Sequence, residues 1–208
     1  LAFRKVGRLV DEVAAGLRVE ARHADFRELE MIATEVGPPL RIALRAHGAA
    51  LRARQFREDG GPLAHAVRPE SYVEINNFYT ATIYEKGAEV IGMLKSLVGD
   101  AGYKAALDLY FTRHDGDAAT IEDWLQVFED ATGRDLTQFK HWYTQAGTPQ
   151  VTVKDNFKNG TYTLYLEQKN PATPGQKHKD PKVIPVAVGL INPNGDEVVP
   201  TTVLELTK

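Results

Sequence analysis

The chain has 208 residues, 43% of them hydrophobic and 25% charged, with a formal net charge of -3 and no cysteine. That length suits one domain with a sizeable core or two small ones. The charge balance offers no strong field for nucleic acid or an anionic membrane. The missing cysteines exclude disulfides and thiolate-bound metal, and they fit a cytoplasmic protein. No run reaches the roughly 18 apolar residues of a membrane span, and the first residues carry no signal-peptide pattern.

Residues 1–58 differ in composition from the remainder. They hold ten arginines and one lysine, against three arginines and eleven lysines in residues 59–208. They contain no Tyr or Trp. Val10, Val13, Ala14 and Leu17 recur at helical spacing, followed by Phe26, Leu29 and Ile32. Gly37-Pro38-Pro39 breaks the run, and a second helix is expected over about residues 40–56. Residues 1–54 therefore read as an Arg-rich helical segment. Either it is a helical hairpin of its own, or it entered by frameshift or fusion. Residues 59–75 form a turn-rich connector, marked by Asp59-Gly60-Gly61-Pro62 and by the extended Ala66-Val67-Arg68-Pro69.

Four helices are expected next. The first runs from near Tyr79 to Leu97, with Val90, Ile91, Leu94 and Leu97 on one face and Gly99 as its end. The second covers about residues 100–112. Its Tyr103, Ala106, Leu107, Tyr110 and Phe111 form a wide apolar stripe that should be buried. The third opens on Thr120 and Asp123, the spacing of a capping box, and closes at Gly133. The fourth opens on Asp135 and Gln138 and carries Leu136, Phe139, Trp142 and Tyr143.

At Gly147-Thr148-Pro149 the hydrophobic period changes from helical to alternating. Val151 and Val153, then Tyr162, Leu164 and Leu166, read as two strands joined by an Asn159-Gly160 hairpin. A loop rich in Pro and Lys covers residues 170–182, and its lysines read as solvated. Val183 to Ile191 is a nearly continuous apolar strand, and residues 197–206 return as another. The class is α+β with a boundary at about residue 147. A sheet of about 60 residues is marginal by itself, so the chain is expected to continue beyond Lys208.

Chemistry has few candidates. None of the six histidines forms H-E-x-x-H, which would place two ligands one helical turn apart. His23 with Glu20 or Glu28 is the nearest helical cluster, and it reads as solvated surface. There is no nucleophile elbow, P-loop or dinucleotide fingerprint. The remaining candidates are Tyr79 and Tyr84. On one helix, residues five apart diverge by about 140°, so spacing alone keeps the two rings on different faces. Spacing alone also favours a packing role for one of them. The alternative is that Tyr84 aims its phenol at a developing oxyanion.

The run NNFYTATIYEKGAEV at residues 76–90 resembles zinc-dependent aminopeptidases of the bacterial aminopeptidase N type, in the gluzincin superfamily. The similarity extends from about Gln55 to Lys208. It includes QFREDGGPLAH at residues 55–65, LYFTRHDGDAAT at 109–120 and WYTQAGTPQVTVK at 142–154. The resemblance implies the helical C-terminal half of a thermolysin-like catalytic domain over residues 55–147, followed by part of a β-sandwich domain over residues 148–208. It implies that Tyr84 stabilises the tetrahedral oxyanion of peptide hydrolysis and that Tyr79 lies near the pocket for the substrate's first side chain. Glu85 and Lys86 have supporting roles. In the intact family, zinc, a metal-bound water and a glutamate base act on peptide substrates. The zinc-binding H-E-x-x-H, the further Glu and the G-x-M-E-N element lie upstream in that family, and none is found in this chain. The expectation is an aminopeptidase portion that is inactive alone. A non-catalytic helical and β interaction module from the same fold is the rival reading.

Overall fold

The computed structural model describes Gly48, Ala49 and residues 51–208. The expectations for residues 1–47, including the first Arg-rich helix and the His23 cluster, lie outside the described residues. A π-helical turn at Leu51–Gln55 leads into a short helix, α1, at Phe56–Asp59. A connector ends in a 3₁₀ turn at Ile75–Phe78, and a second π-turn follows at Thr82–Lys86. Three helices come next: α2 at Gly87–His114, α3 at Ile121–Thr132 and α4 at His141–Thr144. Two antiparallel hairpins complete the chain. Strands β1 (Gln150–Lys158) and β2 (Thr161–Lys169) form one, and β3 (Ile184–Ile191) and β4 (Glu197–Leu206) form the other.

The helix boundaries follow local chemistry. Gly99 adopts φ +72 inside α2, and the two expected helices join there across a kink. Thr120 caps α3. Its hydroxyl accepts from Asp123 N, and the Asp123 carboxylate accepts from Thr120 N at 2.8 Å. Gly133 ends α3 in the left-handed region. Asn159 and Gly160 both take positive φ between β1 and β2, as a tight hairpin turn demands.

Two helix expectations change. The first helix starts at the Thr82 turn rather than near Tyr79. The fourth is mostly turns, and only His141–Thr144 is helical. Asp135 does not cap a regular helix. Its carboxylate accepts from Thr137 N at 2.8 Å, closing a local turn that competes with helix formation. The burial pattern survives that change. Leu136, Phe139, Trp142 and Tyr143 are all buried, because the turns still repeat every three to four residues.

The core lies where α2, α3 and the turns before α4 meet. Val90, Met93, Leu94, Tyr103, Ala106, Val127, Phe128 and Phe139 form its centre. Ile184 at the start of β3 and Leu206 at the end of β4 join the same cluster. The roots of the second hairpin are therefore packed into the helical layer. Trp142 Nε1 donates to Val183 O at 2.7 Å across this seam. The expected stripe on the second half of α2 is buried only in part. Tyr110 meets the Trp124 ring edge-on at 5.3 Å, but Phe111, one residue further round the helix, is exposed. The far ends of both hairpins are also exposed, including Phe157, Tyr162, Ile191 and Val198.

The loop over residues 170–182 differs from its solvated expectation. His178 is exposed, but Lys182 is completely buried. Its stem enters beside Trp142, with Nζ 4.7 Å from the centre of the indole. Its ammonium donates to Gln145 O at 3.2 Å and to Gly147 O at 3.3 Å. Two backbone carbonyls and an aromatic face account for a position that composition alone places in solvent.

Candidate active-site surface

Tyr79 and Tyr84 are brought together. Their rings stack with centroids 6.3 Å apart and an interplanar angle of 23°. The helical-wheel expectation fails because Tyr79 is not on the helix. It ends the 3₁₀ turn with φ -84 and ψ 66, and the chain reverses before Tyr84. Both are 59% exposed, so neither is a packed core residue. Among the described residues, the Tyr84 hydroxyl has no hydrogen-bond partner.

The turn that presents them is held at several points. Three backbone N–H groups open the Tyr84 helix. Thr82 N donates to Glu58 Oε1 at 2.7 Å, Ile83 N to Thr80 Oγ1 at 3.2 Å, and Tyr84 N to Thr80 O at 3.2 Å. The first two satisfy orphan donors that every helix start leaves, and the third is the first i→i−4 bond of the helix. His65 adds a further tie. Its ring nitrogens lie 2.8 Å from Leu63 O and 2.8 Å from Thr80 Oγ1. Phe78 extends the aromatic row, meeting Tyr79 edge-on at 5.9 Å and Tyr72 at 5.7 Å. Tyr84 itself sits in a π-turn, whose extra residue changes the direction of the side chain relative to a regular helix.

On the opposite side of the same turn lies a buried ionic cluster. Lys86 Nζ donates to Asp59 Oδ2 at 2.8 Å and to Gly147 O at 3.1 Å. Asp59 also accepts from Gly147 N at 2.9 Å and from the Thr148 hydroxyl at 2.7 Å. Lys179 Nζ donates to Ala146 O at 2.7 Å. Burial alone would raise the Asp59 pKa. The Lys86 charge and hydrogen bond, with the Thr148 and Gly147 bonds, outweigh it and hold the carboxyl below its ordinary value. Burial pushes Lys182 well below the ordinary lysine value, and the neighbouring Lys86 adds to the shift more than Asp59 offsets it. Lys86 thus supports the structure, as expected, but through long-range bonds rather than within its own helix.

A family and its relatives now match this layout. The Peptidase family M1 domain matches residues 24–143, and a domain of unknown function with an Ig-like fold (DUF3458) matches residues 147–208. The chain belongs to peptidase family M1. The M1 match starts well ahead of Gln55, where motif resemblance begins. The chain is 50% identical over 152 residues to aminopeptidase N of Escherichia coli, covering 72% of this chain and 17% of that protein. It is 62% identical over 105 residues to aminopeptidase N of Caulobacter vibrioides, covering 50% of this chain and 12% of that one. The M1 chain thus spans less than a fifth of the length of these relatives. Among solved structures it is similar to Legionella pneumophila aminopeptidase A in complex with aspartic acid. That match has a TM-score of 0.61 and 28% identity, over 79% of this chain and 20% of the other.

The zinc implied by the resemblance does not fit the described residues. No group of three or more His, Cys, Asp or Glu among them could hold a metal ion. His65 has both ring nitrogens engaged, and Glu58 is committed to Thr82 N. His141 Nδ1 lies 2.9 Å from Pro181 O. Among the described residues no helix is long and apolar enough to cross a membrane.

Sequence reasoning named Tyr84 and Tyr79 but missed Glu58, His65 and Thr80. A signal was present: QFREDGGPLAH contains Glu58, Asp59 and His65 within eight positions. Nothing in that run states that they reach residues 80–86.

Proposed function

We propose that this M1 chain contributes the oxyanion-stabilising surface of a zinc-dependent aminopeptidase that removes N-terminal residues from peptides. The observation that carries the reading is the exposed Tyr84 phenol, without a protein partner among the described residues, on a turn fixed at three backbone donors. When a peptide carbonyl becomes tetrahedral, negative charge gathers on its oxygen. A preorganised O–H aimed at that oxygen stabilises the transition state more than the ground state. Tyr84 is the donor in this reading. Tyr79, stacked against it, forms part of the wall for the first side chain of the substrate. Among the described residues no ligand set for zinc is present.

The proposed organisation is a helical end of a catalytic domain over residues 55–147 and part of a β-sandwich domain over residues 148–208. The change of family match between residues 143 and 147 supports the boundary near residue 147, whereas the M1 match from residue 24 joins residues 24–54 to the M1 part and speaks against a separate Arg-rich segment over residues 1–54. The proposed location is the cytoplasm, with peptides as substrates of the intact enzyme and neither nucleic acid nor membrane as a partner.

The purified 208-residue chain is expected to leave an aminoacyl-arylamide unhydrolysed. A rate above background that is abolished by a chelator would contradict this. It would also place a complete metal site within the chain.

A further inference from the structure

We infer that His65 is a positioning residue for Tyr84, acting through the Thr80 hydroxyl; this rests on the reading of Tyr84 as the oxyanion donor. The hydrogen-bond partners dictate the tautomer. Leu63 O is a carbonyl and can only accept, so the proton of the neutral ring sits on Nδ1. Nε2 then carries the lone pair and accepts the Thr80 O–H at 2.8 Å. With its proton turned towards His65, Thr80 Oγ1 is left to accept Ile83 N–H at 3.2 Å. The carbonyl of the same residue accepts Tyr84 N–H.

The relay has a direction, therefore. The Leu63 carbonyl orients the ring, the ring orients the hydroxyl, and the hydroxyl caps the turn that carries Tyr84. Glu58 closes the other side by accepting Thr82 N–H at 2.7 Å. Its carboxylate lies 3.9 Å from His65 Nε2. Without the lone pair on Nε2, the Thr80 proton loses its acceptor, and the hydroxyl has no fixed orientation in which to serve Ile83. Tyr79 immediately precedes Thr80, and Tyr84 is four residues beyond it. The stack of the two rings is therefore the local reporter of the turn's geometry.

The experiment uses the 208-residue chain and reads the Tyr79–Tyr84 ring contact by NMR, from ring-to-ring NOEs and ring-current shifts. The readout involves no catalysis. It can succeed if Tyr84 has no part in peptide hydrolysis, and its failure leaves that role to be judged separately. His65→Leu removes the acceptor, and the contact is expected to be lost. His65→Gln supplies a side-chain carbonyl oxygen that can accept the Thr80 proton, and the contact is expected to return. Retention of the contact in His65→Leu, or its loss in both variants, overturns the inference. If His65→Leu does not fold, Thr80→Val against Thr80→Ser reads the same bond from its other end. Loss in the valine variant and retention in the serine variant are then required, and any other pattern overturns it.

Discussion

Tyr84 and Lys86 stand two residues apart on one π-turn and have opposite surroundings. Tyr84 is 59% exposed, while Lys86 is 7% exposed and bonded to a carboxylate on α1 and a carbonyl beyond α4. The contrast separates two meanings of one motif. The inward half ties the helical layer to the start of the first hairpin, and the outward half is exposed, which is where the proposed reading puts the chemistry. A rigid base with an unsatisfied donor on top is what electrostatic preorganisation requires.

The comparison breaks most readily at Asp59. Among the described residues it is the only carboxylate hydrogen-bonded within this cluster, and Lys86, Lys179 and Lys182 lie around it. Asp59→Ala leaves Lys86 and Lys182 buried around Gly147 O without their counter-charge. Breaking a buried pair in this way costs about 3–5 kcal/mol. Urea unfolding of the 208-residue chain should show a large fall in midpoint. A change of a few tenths would mean that the cluster contributes little to stability.

Gly147 is the next point of leverage. Its φ is +80, and an added Cβ would lie 2.8 Å from Thr173 Cγ2. Gly147→Ala should cost about 1–3 kcal/mol from backbone strain, with the clash in addition. Glycine is required because the positive φ and the lack of room for a Cβ hold the backbone where its N–H and C=O reach Asp59, Lys86 and Lys182 at once. An alanine variant as stable as the parent would show that the turn relaxes freely.

How much of this was legible in the sequence depends on range. Thr120, Gly133 and Asn159-Gly160 act within a few residues of themselves, and local chemistry placed them correctly. Gly147 was visible as a change of period, but its role as a junction was not. Asp59 and Gly147 are 88 positions apart, and Lys182 looks like any residue of a basic loop. The Tyr79–Tyr84 stack is not legible from a helical wheel, because Tyr79 lies outside the helix that carries Tyr84. Glu58 and His65 stood in a quoted motif, yet their partners lie across a reversal that no pattern announces.

Asp59 and Lys182 of the cluster give a smaller effect of definite sign, and Lys179, also held below the ordinary lysine value by burial, acts in the same direction as Lys182. Asp59 has a folded pKa below its unfolded value, so the unfolded chain binds a proton first as pH falls. Its contribution is present above the unfolded value and is lost as pH drops through the folded one. Lys182 also has a folded pKa below its unfolded value. Between those two values the unfolded chain again holds the extra proton, so stability rises with pH across that window. Unfolding midpoints measured from neutral pH towards pH 10 should climb. Lys182→Met should flatten that climb, whereas an equal climb in the variant would assign it to another group.

The outward half should contribute least to stability. Tyr84→Phe removes one exposed hydroxyl and keeps the ring stack, so unfolding should shift by no more than about 0.5 kcal/mol. A larger loss would make Tyr84 a structural residue and remove the contrast with Lys86.

The central claim is that Tyr84 donates to an oxyanion. It is tested most directly by exchanging residues 55–208 into the corresponding part of the E. coli aminopeptidase N and comparing steady-state kinetics with and without Tyr84→Phe. The account predicts that kcat on an aminoacyl-arylamide falls by roughly 10²–10³-fold with KM little changed, the pattern of an interaction made in the transition state. An active exchanged enzyme whose kcat is the same with phenylalanine would contradict it.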